Sequence, residues 1–347
     1  TREAEYLINK DRRKPVRLEV DYFFVEADKH AHSHLDKVLR DDGYGGQIGN
    51  TIHLQHAKFQ DQADSIIDFV KRKSPRNGRS IFALDQYGYK EVPTQLIQKI
   101  FAKLPSAEVI LTFGVDSFLN YASDGKLTQS LLDEIGIPDV LNGRSMEDIK
   151  SSERDWRLFI QSGLYRTLVT RCGAKHFTPF FIRNNKGHGD YWLIHLSQHH
   201  KARDVMMEIH WGKSNQFTHY LEPDMFTLGY SASKDVEVTG QDALSFGEEF
   251  QFDKLAAQKC TSGLERKLVP WVFDKGDQAV TFRELAHHVG SNTPATEKML
   301  KLSLDEAIRC GDILVTTKNG GQRRKGSSLE AEDQLSAPKQ RSLIHLP

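Results

Sequence analysis

Short apolar runs alternate with amphipathic helices over the first 115 residues, and this alternation constrains the fold more than any other feature. A run of about five to seven apolar residues closed by polar ones is typical of a buried strand. The predicted strands are Val20–Glu26, Thr51–His56, Ser80–Asp85 and Glu108–Phe113. Because a helix separates each strand from the next, we expect right-handed crossovers and a mostly parallel α/β sheet.

The pattern changes after the fourth strand. Residues 117–170 are polar and mainly helical, and we predict an insertion packed over the carboxyl edge of the sheet. Lys175–Arg183 and Tyr191–His195 are predicted as strands of a hairpin, since a turn rich in Asn and Gly separates them. The sequence therefore predicts one α/β domain over residues 1–250, whose parallel sheet ends in an antiparallel pair.

The last third of the chain is predicted to form a second domain over residues 251–326. Thr281 with Glu284 three positions later is a capping-box signal for the start of a helix. A second helix, a strand at Asp312–Thr316 and a basic turn follow, which is the layout of a winged helix. Residues 327–347 are polar, and we expect a disordered tail there.

Composition excludes several classes of protein. Lys plus Arg is 47 and Asp plus Glu is 47, so the net charge of zero argues against a chain coated in positive charge for nucleic acid. No apolar run approaches the roughly 18–20 residues of a membrane span, and no signal peptide opens the chain. Cys172, Cys260 and Cys310 lie far apart, which favours a reducing compartment and offers no structural zinc site. We expect a cytoplasmic protein without a membrane partner.

Glu26 ends the first predicted strand. In nucleotide-binding α/β sheets an acid at such a position accepts hydrogen bonds from ribose hydroxyls. The alternative is an acid that simply faces solvent at the end of a strand, and both interpretations stay open.

The segment from Asp85 to Gly88 follows the third predicted strand, at the edge where open sheets hold ligands. An acid and a nearby aromatic residue resemble the loop with which methyltransferases grip a target amine. Asp85 would accept the N–H groups of the target, and Tyr87 would stack on it. The alternative is a strand followed by a turn that uses Gly88, and Gln86 stands where such enzymes usually carry proline.

Three histidines invite a metal hypothesis, because His195 and His199 are four residues apart and His200 follows directly. The sequence has no HExxH motif there and no carboxylate at a spacing typical of metal ligands. We therefore expect these residues to bind no metal.

The turn of the predicted winged helix is basic and contains no acid. Its members are Lys318, Arg323, Arg324 and Lys325. Such a turn suits phosphate contact. The preceding helix carries acids beside its lysines, and this mixture fits phosphate poorly.

Several segments together resemble a known family. They are Tyr22–Asp28, Ile81–Gly88, Glu108–Phe113, Ser162–Arg166 and Tyr191–His195. In their order and spacing they resemble the three-Cys-motif partner proteins, bacterial proteins with a class I methyltransferase-like domain and a C-terminal winged helix. The resemblance implies a Rossmann-like class I methyltransferase sheet that ends in an antiparallel strand.

The resemblance also implies a site and a partner. It places Glu26 and Asp28 beside S-adenosylmethionine, and Asp85 with Tyr87 at the acceptor site. The implied partner is a three-Cys-motif protein encoded nearby, and DNA or RNA would be the substrate.

The family carries a strand and a glycine loop before its first helix, whereas this sequence starts at Thr1 inside that helix. We therefore expect S-adenosylmethionine to bind only when an upstream segment is restored, and no cofactor to bind the chain as given. Two functions stay open: an adenosylmethionine-dependent methyltransferase acting on nucleic acid, or a non-catalytic adaptor or nucleic-acid-binding protein on a methyltransferase scaffold.

Overall fold

The chain divides into two compact units, Thr1–Arg76 and Asn77–Pro347. This boundary differs from the one predicted at residue 250. The structure, a computed structural model, describes residues 2–86, 91–114, 117–118, 120–121, 129–141, 143–152, 167, 169–182, 191–213, 216–218, 249–276, 278–323 and 328–338.

The first unit contains a parallel pair of strands with its helices. These elements are α1 (Arg2–Asn9), β1 (Tyr22–Glu26), α2 (Lys29–Asp41), β2 (Ile52–His56) and α3 (Phe59–Lys73). β1 and β2 pair in parallel, as the alternation predicts, with Glu26 opposite His56. They form a two-stranded sheet of their own, so the single sheet expected for the four strands of the first 115 residues is not observed among the described residues. Ile66 and Ile67 of α3 are buried, and Phe23 of β1 packs edge-on against Phe69 at 5.0 Å.

The second unit begins with a four-stranded sheet. Its strands are β3 (Ser80–Leu84), β4 (Ala107–Phe113), β5 (His176–Ile182) and β6 (Tyr191–Ser197), in the order β3-β4-β6-β5. β3 and β4 are parallel, whereas β6 is antiparallel to both β4 and β5. The predicted change from parallel to antiparallel pairing is therefore confirmed, while the connecting residues 183–190 lie outside the described residues.

β4 alternates strictly between buried and half-buried residues, so one of its faces is continuous core. Val109 and Leu111 on that face are almost fully buried, as are Ile97 and Ile100 of α4 (Thr94–Lys103), which packs against β4. The predicted insertion contributes α5 (Gln129–Glu134) and α6 (Met146–Ser152) to the described residues. α7 (His200–Lys213) packs against β5 and β6.

The C-terminal part of the second unit surrounds its own apolar core, which includes Leu264, Leu285, Leu304 and Leu335. Its elements are α8 (Lys254–Asp274), β9 (Val280–Thr281), α9 (Phe282–Asn292), α10 (Glu297–Cys310), β10 (Leu314–Thr316) and β11 (Gln334–Ser336). The last three strands form an antiparallel sheet in the order β10-β11-β9. A separate antiparallel pair joins β7 (Gln216–Thr218) to β8 (Glu249–Gln251).

The capping box at the start of α9 is confirmed. The Thr281 hydroxyl accepts the N–H of Glu284 at 3.1 Å, and the Glu284 carboxylate accepts the N–H of Thr281 at 2.7 Å. These two bonds satisfy donors that the first helical turn leaves without partners.

The expected disordered tail needs a correction for residues 328–338, which the structure describes. Gln334–Ser336 is β11, paired with both β9 and β10, and Leu335 is fully buried. A strand of three residues with a single apolar side chain has no periodicity to reveal it. Its order depends on pairing with two neighbouring strands.

Candidate functional site

Glu26 and Asp28 lie where β1 turns into α2. A Glu26 carboxylate oxygen accepts the N–H of Asp28 at 2.7 Å, and the Asp28 carboxylate accepts the N–H of Ala31 at 2.8 Å as the N-cap of α2. The bond from Ala31, aided by His30 and His56, lowers the pKa of Asp28. Asp28 is therefore used as a helix cap, whereas Glu26 is held in place through one oxygen.

Asp85 follows the last residue of β3 and is exposed. The Thr112 hydroxyl on the neighbouring β4 donates to its carboxylate at 2.7 Å, and accepts the N–H of Gln86 at 3.1 Å. Thr112 thus fixes both the direction of the Asp85 side chain and the start of the loop after β3. The result is an oriented, accessible carboxylate at the carboxyl end of a parallel strand.

Gln86 closes the loop that Asp85 begins. Its side chain is buried, and its amide oxygen accepts the N–H of Val92 at 3.0 Å. Sequence reasoning considered Gln86 only as a departure from proline, but proline could not make this bond. Tyr87, the predicted stacking residue, lies outside the described residues together with Gly88.

The predicted basic turn is only partly described. Lys318 is exposed, while Arg324 and Lys325 lie outside the described residues. Arg323 is largely buried and donates to Asp333 at 2.9 Å and to the carbonyl of Ser328 at 2.6 Å. Its bond to Asp333 raises the pKa of Arg323. The guanidinium therefore holds the loop against Ser328 and Asp333. It could contact a phosphate only after its ion pair with Asp333 is broken.

The predicted histidine group is divided in space. His195 of β6 is buried, and its Nε2 lies 2.9 Å from a carboxylate oxygen of Glu108 on β4. His199 and His200 stack on each other at 4.7 Å. Within the described residues no group of three or more His, Cys, Asp or Glu side chains is arranged to hold a metal.

Sequence reasoning missed the contact between α7 and the turn before α10. Arg203 of α7 is 4% exposed, and its guanidinium donates to the carbonyls of Thr293 and Ala295. Asp204, 3% exposed, accepts the N–H of Glu297 at 2.7 Å, and the Trp211 indole donates to the carbonyl of Pro294 at 2.9 Å. We call Arg203, Asp204 and Trp211 the α7 clamp.

The α7 clamp holds the turn before α10 and the first N–H of that helix. Burial lowers the pKa of Arg203 to about 10, so the guanidinium stays charged at neutral pH. Its charge faces backbone carbonyls, and Asp204 takes up an N–H at the positive end of the α10 dipole. The clamp therefore joins the α/β sheet to the C-terminal helices through charge-assisted hydrogen bonds.

A cleft of about 520 Å³ lies between α7, α10 and residues 328–329. Lys201 pairs with Asp204 and Lys301 pairs with Glu297, both at 2.7 Å, so much of the wall charge is neutralised internally. Leu302 of α10 lines the cleft and is 63% exposed. The cleft thus exposes the apolar side chain of Leu302 between pairs of opposite charges.

A scan against protein-family models found no match to the chain. A search of curated proteins found no match either. No helix in the described ranges has the length and apolar content needed to cross a membrane. A functional assignment for this chain therefore depends on the geometry of the acidic strand ends and of the α7 clamp.

Proposed function

We propose that this chain is a three-Cys-motif partner-like protein, an adenosylmethionine-dependent methyltransferase that acts on nucleic acid. The observation that carries the proposal is Asp85, an exposed carboxylate oriented by Thr112 at the carboxyl end of a parallel strand. Ligands of open α/β sheets bind at that end of the strands.

Two further features support this proposal. The order β3-β4-β6-β5, with β6 antiparallel, is compatible with a methyltransferase sheet that ends in an antiparallel strand. The helices and three-stranded sheet from α8 to β11 are compatible with a winged helix, the module with which the protein would dock on nucleic acid.

Each of the two acids suits the group that the resemblance assigns to it. Bound adenosylmethionine would supply the methyl group. Glu26 keeps one carboxylate oxygen without a hydrogen bond among the described residues, so it can accept a bond from a ribose hydroxyl. Asp85 accepts an N–H of the target amine and holds its nitrogen in one direction.

The test is transfer of a labelled methyl group to DNA and RNA by the full-length protein. Asp85→Asn keeps the shape of the side chain but removes its charge, and we expect transfer to fall about 100-fold. Glu19→Gln changes an exposed acid that lies before β1, away from the carboxyl ends of β1 and β3, and should leave transfer unchanged. Equal transfer by Asp85→Asn and Glu19→Gln would reject the assigned role of Asp85.

A second candidate function is an adaptor on a methyltransferase scaffold, and the α7 clamp favours it. In helix-turn-helix proteins the first residues of the recognition helix contact base edges. Here the N–H of Glu297 at the start of α10 already donates to Asp204, and Arg323 already forms an ion pair with Asp333. A cleft with an exposed leucine between paired charges suits a protein partner better than a phosphate backbone.

The adaptor function is tested by expressing the chain with the three-Cys-motif protein encoded nearby and measuring the mass of the complex in solution. Leu302→Glu should weaken the complex at least tenfold, because it places a charge on the exposed apolar side chain of the cleft. Leu255→Glu is the matched control, since Leu255 is 58% exposed and lies on α8 outside the cleft. Equal weakening by both variants, or no complex, would reject the cleft as the docking site.

A further inference from the structure

Four histidines from three elements meet beside the α7 clamp. His176 lies on β5, His199 and His200 lie at the start of α7, and His287 lies on α9. The ring of His176 lies 4.6 Å from that of His287 and 6.3 Å from that of His200. We call these four residues the histidine cluster.

The contact between His176 and His287 has a strict proton requirement. Their Nδ1 atoms are 3.3 Å apart, so one must donate and the other must accept. A single proton added to the pair is tolerated, because a charged ring can donate to a neutral one. When both rings are charged, two N–H groups point at each other and the bond is lost.

The groups around His176 and His287 do little to stabilise a positive charge on both rings. The basic groups that act on His176 are His199, His200 and Arg203 from α7, while His288 of α9 is coupled to His287. Arg283 and the acids Asp204 and Glu297 act on His200. Asp204 already accepts from Lys201 and from the N–H of Glu297, while Glu297 pairs with Lys301 and lies 3.9 Å from His200.

His176 is only 7% exposed, whereas His287 is exposed. Burial, followed by the charges of His287, His200 and Arg203, lowers the pKa of His176 to about 3. A proton on His176 is therefore far more stable once the ring reaches water.

We propose that protonation of both His176 and His287 releases the α9–α10 pair from α7 and β5, so that the histidine cluster acts as an acid-sensitive latch on the α7 clamp. Release breaks the bond from the N–H of Glu297 to Asp204 and exposes the start of α10. The release does not depend on the proposed function.

Hydrogen exchange at the amide of Glu297 tests the latch, because this N–H donates to Asp204 only while the clamp is closed. Exchange rates are corrected for the intrinsic effect of pH and followed from pH 7.5 to 4.5. One proton bound only in the open state predicts that the open fraction rises about 100-fold over this range. The double variant His176→Gln and His287→Gln, whose amides keep a donor and an acceptor, should abolish the rise.

His34→Gln is the control, since His34 is an exposed histidine of α2 and should leave the response unchanged. If the double variant does not fold, the single variant His287→Gln, at an exposed position, should still shift the response by removing one charge of the pair. Protection of Glu297 that is independent of pH, or a response in the double variant equal to that of the parent, would overturn the proposal.

Discussion

Arg203 provides the sharpest test of how the second unit is held together. Its guanidinium donates to the carbonyls of Thr293 and Ala295, and both of those residues are fully buried. Arg203→Met keeps the length of the side chain but leaves the two carbonyls without these donors. Each lost bond to a charged group costs about 1.5–3 kcal/mol, partly offset because no charge is then buried. We expect a net loss of about 3 kcal/mol.

The assay is urea unfolding followed by tryptophan fluorescence. All four tryptophans, Trp156, Trp192, Trp211 and Trp271, belong to the second unit, so the signal reports that unit alone. Arg283→Met is the matched control. Arg283 is 57% exposed and pairs with Glu332 at the surface, so its loss should cost less than about 1 kcal/mol.

The two arginine variants distinguish a structural clamp from a surface contact. If Arg203→Met lost no more stability than Arg283→Met, the α7 clamp would not join the sheet to the C-terminal helices. Faster exchange at the amide of Glu297 in Arg203→Met should accompany the loss of stability, since Asp204 lies next to Arg203 on the same helix.

Three further perturbations have defined outcomes. Burial, and to a lesser extent the neighbouring His195, lowers the pKa of His210 to about 4. The neutral His210 ring therefore contributes fully to stability above pH 6.5, and this contribution is lost as the pH falls towards 4. The free energy of unfolding falls by at most about 3 kcal/mol from this effect. Urea titrations at pH 7 and 5 should show a smaller fall in His210→Gln than in the parent. Thr281→Ala removes the capping box and should lower the free energy of unfolding by about 1 kcal/mol, whereas an unchanged urea midpoint would contradict the cap. Charge reversal at Lys318, Arg324 and Lys325 of the basic turn should weaken duplex binding about equally for all sequences. An unchanged salt dependence of binding would show that the turn makes no phosphate contact.

Local patterns in the sequence predicted the strand ends well. Glu26 is the last residue of β1 and Asp85 follows β3, because an acid directly after an apolar run marks the end of a strand regardless of its partners. The capping box at Thr281 was predictable for the same reason, since all its atoms lie within one turn.

Contacts between distant segments could not be predicted from such patterns. His195 meets Glu108, 87 residues away, only because β6 pairs antiparallel with β4. Arg203 reaches Thr293, 90 residues away, and nothing in the sequence of α7 indicates that this arginine is buried. The same applies to Arg323, which in sequence is one member of a basic run but in the fold is paired with Asp333.

Calorimetry with S-adenosylmethionine tests the central claim most directly. One charge-assisted bond to Glu26 supplies about 1.5–3 kcal/mol, whereas micromolar affinity requires about 8 kcal/mol. Glu26 therefore supplies only part of the affinity, and we expect micromolar binding by the full-length protein to be reduced at least tenfold by Glu26→Gln. Equal affinity of the parent and Glu26→Gln would show that the cofactor site is misplaced, and a full-length protein that does not bind would contradict the methyltransferase function.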